Sequence, residues 1–241
     1  MLSFASRNTR ELIRDPLNLA FGLGFPLVLL FLLSAIQANI PVSLFELEYL
    51  TPGLTVFGLA FMTLFSASII AKDRGNAFLQ RLYTTPLAPA DFILGYTLTM
   101  NPIAMTKCVI CYLAAGVMGL KLTINVVFAV LLIVPVSVFY IALGLLCGSV
   151  LSDKQVGGVC GALLTNLTAW LSGVWFDLDL VGGMFRKIAY ALPFVHAVEL
   201  ERAALAGNYA EILPHLCWVL GYAVITLAAA VFLFLRQMKK N

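Results

Sequence analysis

Few residues in this chain are of a type and spacing that could do chemistry. Its two histidines, His196 and His215, lie 19 residues apart, outside any HExxH pattern that would seat a catalytic zinc. A histidine so placed reads as a surface or packing residue before it reads as a ligand. Cys108 and Cys111 form a CxxC spacing, but no second Cys or His pair completes a metal or redox site. The other cysteines, Cys147, Cys160 and Cys217, also fall in or beside apolar runs. An odd count of five in such runs argues against a disulfide framework. There is no GxSxG nucleophile motif and no GxxxxGK[ST] loop to cradle phosphates. No catalytic residue or metal site is assigned, and if ATP drives this protein, another chain must bind it.

The elements that would position these residues follow from composition. Of 241 residues, 61% are hydrophobic and 11% charged, with a mean hydropathy of +0.98. A soluble domain carries about 25% charged residues, so a soluble enzyme, a disordered chain and a nucleic-acid binder are all excluded. Apolar runs of helical length cover about 17–37, 52–71, 97–119, 124–150, 156–176 and 216–235. The alternation of barrel strands is missing, so the spans are helices. The expected fold is an all-α polytopic membrane protein with six transmembrane helices in a single domain, 1–241. The first span is expected to be retained, because the mixed-charge segment before it is unlike a signal peptide.

Basic residues orient the spans. Arg7, Arg10, Arg14, Lys72, Arg74, Arg81, Lys154, Arg236, Lys239 and Lys240 fall on one side, and Lys121, Arg186, Lys187 and Arg202 on the other. Both termini are therefore expected on the cytoplasmic side of the cell membrane. Residues 1–16 separate Leu2, Phe4, Leu12 and Ile13 from Arg7, Arg10, Glu11 and Arg14, as a helix lying in the interface would. Residues 72–96 read as a polar cytoplasmic loop broken near Pro86 and Pro89. Residues 177–214 read as a long outer segment too short in apolar run to span, and suit a re-entrant or interfacial helix pair.

Within the spans, Lys107 is either a group facing the bundle interior or one within snorkelling reach of the interface. Phe57, Phe61 and Phe65 recur every four residues and share one helix face. Packing or lipid contact explains such a stripe, and lining of an apolar pathway is the functional alternative. Asn166, between Thr165 and Thr168, either bonds a neighbouring helix or lines that pathway, and Trp170 follows one turn later. Gly144 with Gly148, and Gly157 with Gly161, would permit close helix contacts.

Four stretches carry a family resemblance. They are Arg14-Asp15-Pro16 before FGLGFPLVLLFLL, LTPGLTVFGLAF (50–61), KDRGNAFLQRLYTTPLAPADFILGY (72–96) and LPFVHAVELERAALAG (192–207). Together, in this order, they resemble the permease subunit of type-2 ABC exporters across nearly the whole chain. The chain departs from the family at Tyr96, where a lysine is often found, and in having no proline soon after the fifth span. The resemblance implies that two permeases, identical or homologous, form a pathway at their interface, while separate ABC ATPase subunits dock from the cytoplasm and hold the ATP and magnesium. It implies a coupling helix bearing Asp73, Arg74, Gly75, Asn76, Phe78, Leu79, Arg81 and Leu82. It implies too an outer segment that caps the pathway, with Pro193, His196, Glu199 and Arg202.

The apolar lining suits an amphipathic drug, a natural product or a lipid, with polysaccharide export as the alternative within the family. An ion-coupled secondary carrier is disfavoured because no pair of intramembrane acids or inverted repeat is evident. An intramembrane enzyme built on Cys108, Cys111 or His196 lacks a nucleophile–base spacing.

Overall fold

Residues 124–150 contain no charged side chain and no helix-stopping pair, and in the computed structural model they form one helix of 27 residues, about 40 Å long. The structure describes residues 7, 9, 20–41, 45–75 and 89–238. In chain order these give α1 (Ala20–Gln37), α2 (Leu47–Gly75), α3 (Pro89–Val117), α4 (Ile124–Val150), α6 (Leu178–Val181), α7 (Gly183–Ala191), α8 (Pro193–Ala206) and α9 (Tyr209–Met238). Between α4 and α6 lies α5, built from Asp153–Val156, the π-helical Gly157–Leu164 and Thr165–Leu171. No strand occurs among the described residues.

Five helices are long and apolar enough to cross a membrane, namely α1, α2, α3, α4 and α9, against the six expected. The missing one is α5. Gly157, Gly158 and Gly161 disfavour a regular helix, and the segment carries a π-helical stretch instead of a continuous α-helix. Helix boundaries also move. α3 starts at Pro89, where the fixed φ of proline suits a first helical turn, so only 76–88 separate it from α2. α9 starts at Tyr209, with Pro214 inside it, so the last residues assigned to an outer segment belong to a span. In both places polar first turns hid the start of the helix from a hydropathy reading.

α2 is the central element: 89% of its most apolar window is buried, against 17% for α1. It packs on α4 through Gly144 and Gly148, where an added Cβ would lie 2.5 Å from the Thr63 carbonyl oxygen and 2.6 Å from that of Ala67. The expectation of a close approach holds there. It does not hold at Gly157, which has nothing within 4 Å, or at Gly161, which makes ordinary contact with Leu64.

α8 is wedged among α2, α4 and α9. Pro193 opens it, and Gly207, in the left-handed region at φ 76°, closes it. The loop from α4 into α5 is fixed by a capping box in which the Ser152 backbone N–H donates to Gln155 Oε1 at 3.0 Å.

Candidate functional site

Charged and polar side chains gather at both ends of the bundle. At the end where α2 finishes, Asp73 is buried although it lies one turn from the helix terminus. Its carboxylate accepts hydrogen bonds from Arg7 at 2.8 Å and 3.3 Å and from the Tyr96 hydroxyl at 2.7 Å. One carboxylate thus joins the N-terminal segment, the end of α2 and the start of the α3 span. Charge-assisted bonds of this kind are stronger than neutral ones.

Arg74, the next residue, donates to the carbonyl oxygens of Gly148 at 2.7 Å and Leu151 at 3.3 Å. It satisfies carbonyls at the C-terminus of α4, where a cation is favoured. Arg7 and Thr9 are helical. Of the residues expected to couple or to lie in the interface, Asn76, Phe78, Leu79, Arg81, Leu82, Arg10, Glu11 and Arg14 fall outside the described residues.

In the middle of the bundle Phe57, Phe61 and Phe65 are all buried. Phe57 and Phe61 meet edge-to-face at 5.9 Å, both lie about 6 Å from Phe25 of α1, and Phe57 also meets Trp175 at 5.5 Å. Within one chain the stripe is therefore packed against α1. Asn166 is exposed and donates to the Ala162 carbonyl one turn back at 2.8 Å, while Trp170 is exposed and lies 6.2 Å from Phe176. Lys107 is buried, facing the bundle interior: its Nζ lies 3.6 Å from Met62 Sδ and 4.6 Å from the centroid of the Phe65 ring.

At the opposite end, Arg202 of α8 pairs with Glu199 at 2.8 Å and donates to the Gly173 carbonyl at 2.9 Å. Its guanidinium lies 3.3 Å from the centroid of the Tyr49 ring, at the start of α2. Planar stacking with several directed donors is a role lysine cannot copy. His196 is buried between α7 and α9. Its Nε2 lies 3.0 Å from the Tyr190 carbonyl and its Nδ1 lies 2.9 Å from Nδ1 of His215. A carbonyl only accepts, so Nε2 carries the hydrogen and Nδ1 of neutral His196 accepts from His215. The ring stacks on Trp218 at 4.8 Å. Burial holds the His196 pKa below its ordinary value.

Two residues important to these contacts escaped the sequence reading. Glu201 is fully buried, accepts a long 3.5 Å hydrogen bond from the Tyr112 hydroxyl, and has no partner for Oε1. Burial raises its pKa well above the ordinary carboxylate value. The signal for it was present, because helical spacing puts residue 201 in the stripe of Phe194, Ala197, Val198, Ala204 and Leu205. Tyr49 carried no comparable signal.

Among the described residues no group of three or more His, Cys, Asp or Glu side chains could hold a metal ion. Comparison with curated proteins gives no match. The sequence pattern of the ABC-2 type transporter family, in contrast, matches residues 1–206. With its long apolar helices, this makes the chain a multi-pass membrane protein and a transporter permease; it belongs to the ABC-2 type transporter family.

Proposed function

We propose that the chain is the membrane subunit of an ATP-driven exporter in the cell membrane, with the Asp73 end cytoplasmic and ATP hydrolysed by a separate ABC ATPase. Two permeases, identical or homologous, enclose the pathway, and the substrate is an amphipathic drug, natural product or lipid. The observation that carries the reading is the joint of Arg7, Tyr96 and buried Asp73. It ties three segments together immediately before residues 76–88, where an ATPase would push. Movement of that loop would then act on the N-terminal segment through Arg7 and on the start of the third span through Tyr96. Transport needs two permease states that the ATPase pair binds with different affinity. At the far end, Arg202 clamps α8 to the start of α2 and would hold the pathway closed to the exterior.

A second reading, polysaccharide export, draws on the exposed Trp170, a ring on which a sugar could stack. Purification of the tagged chain from its native membrane tests the proposal. A Walker-type ATPase at equal stoichiometry, whose hydrolysis is uncoupled from transport by disruption of residues 75–82, is the expected result. A chain that purifies alone and binds no ATP overturns it.

A further inference from the structure

Lys107 has a setting that packing alone does not account for. It lies 12 residues after Gly95 and ten before Val117 in the α3 span, about 18 Å from one end and about 15 Å from the other, so its side chain is too deep to reach an interface. Its neighbours are a thioether sulfur and an aromatic face, and among the described residues no carboxylate pairs with it. A methionine sulfur is a weak acceptor, and a cation–π contact replaces only part of an ammonium's hydration. An ammonium left in this state is poorly compensated for its lost hydration.

The surroundings make room for it. A Cβ at Gly22 of α1 would collide with the Lys107 ammonium. The ammonium borders a crevice of about 10 Å³, lined mainly by small and apolar residues such as Pro26, Leu54, Gly58 and Cys111, with Thr55 adding a hydroxyl. This seam runs where α1 crosses α2 and α3, and α1 is the least buried of the five spans. Phe21, Val28, Phe31 and Leu32 lie exposed on its outer side. A molecule reaching the seam from lipid meets apolar walls and a single ionisable amine.

We propose that Lys107 is the anion-recognising group of a binding site at the α1–α2–α3 seam, and that its ligand is an amphiphile carrying one acid group on an apolar chain. The crevice admits one water-sized group, which is the size of a carboxylate oxygen, while the chain lies between the helices. The inference rests on the reading of this chain as a pathway subunit and gives that pathway a substrate class.

The test uses the complex of the chain with its ATPase in lipid nanodiscs and a diazirine-bearing fatty acid, with labelled residues mapped by mass spectrometry. Labelling is expected within 22–27 and 54–58, with laurate competing at least tenfold better than dodecanol. Lys107→Gln and Lys107→Met should lower labelling at least tenfold without lowering thermal stability. Equal competition by the two compounds, unchanged labelling in both variants, or competition by chloride as effective as by laurate would each overturn the site. The laurate–dodecanol comparison needs no variant, so a misfolded mutant does not decide the outcome. Loss of the ATPase from the preparation would count against the exporter reading, while the labelling would still report on Lys107.

Discussion

The Tyr96 hydroxyl donates a 2.7 Å hydrogen bond to Asp73 Oδ2, across 23 residues that include the loop 76–88. Both side chains are buried, at an end of the bundle where a solvated loop would be the ordinary expectation. Arg7 approaches the same carboxylate from the N-terminal segment.

Removing one hydrogen bond to a charged partner costs about 1.5–3 kcal/mol. Tyr96→Phe should therefore lower the thermal midpoint of the detergent-solubilised protein while leaving the fold intact. Asp73→Asn should do the same and, in the complex, should leave ATP hydrolysis running while transport falls. An unchanged ratio of transport to hydrolysis in Asp73→Asn would show that this joint transmits nothing.

Arg202 joins α8 to the Gly173 carbonyl and to the Tyr49 ring. Arg202→Lys keeps the charge but loses the planar stack and the second directed donor. It should lose about 1–3 kcal/mol of stability, read as a lower melting temperature, with Arg202→Gln no more than slightly worse. If Arg202→Lys melts like the parent protein, charge alone suffices and the stack is incidental.

Much of this was legible in the residues themselves. The uncharged run at 124–150 could only be a span, and α4 has those bounds. Glu199 and Arg202 were named only as outer-segment residues, and the structure joins them as an i, i+3 ion pair. Less was readable where tertiary contact decides. The burial of Asp73 depends on Arg7 and Tyr96 arriving from distant segments, and the packing of Phe57 and Phe61 depends on Phe25 of another helix. Periodicity shows which residues share a face, but not what covers it.

Gly148 and Gly157 were indistinguishable as small residues in apolar helices, yet their neighbourhoods differ. A Cβ at Gly148 would lie 2.6 Å from a backbone oxygen and 2.9 Å from the Cα of Ala67, neither of which can rotate away. Gly148→Ala should cost about 1–3 kcal/mol by forcing α4 off α2. Gly157→Ala meets open space and should change stability by no more than about 1 kcal/mol, in the favourable direction if helix propensity dominates. Parallel melting curves decide the matter, and equal losses in the two variants would refute the close packing at Gly148.

His196 sets a direction for acid sensitivity. Burial is the main cause of its lowered pKa, with the charge of His215 adding to it, while the Tyr190 carbonyl and Glu199 act the other way. The unfolded chain therefore takes up the proton more readily. The stabilising contribution is present above the ordinary histidine value of 6.5 and is lost as pH falls through the lower folded value. The melting temperature should drop between about pH 7 and pH 5, and His196→Gln should flatten that drop. An equally steep drop in the variant would place the acid-sensitive group elsewhere.

Glu201 sets the opposite slope. Its folded pKa lies well above the ordinary 4.5, because burial disfavours the charged form more than the Tyr112 hydroxyl favours it. Its contribution is then fully present below the unfolded value and is lost as pH rises through the folded one. The protonated acid holds Oε1 without a partner, and deprotonation would leave a charge in a fully buried position. Glu201→Gln keeps an acceptor for Tyr112 but cannot ionise. It should match or exceed the parent's melting temperature at neutral pH and stay level into alkaline pH, where the parent declines. Glu201→Ala would lose the hydrogen bond and open a cavity, at a cost of about 2–5 kcal/mol. A parent protein whose stability stays flat to alkaline pH, with Glu201→Gln no different, would mean that water or a neighbour solvates this carboxylate and that the α8 core is looser than its packing indicates.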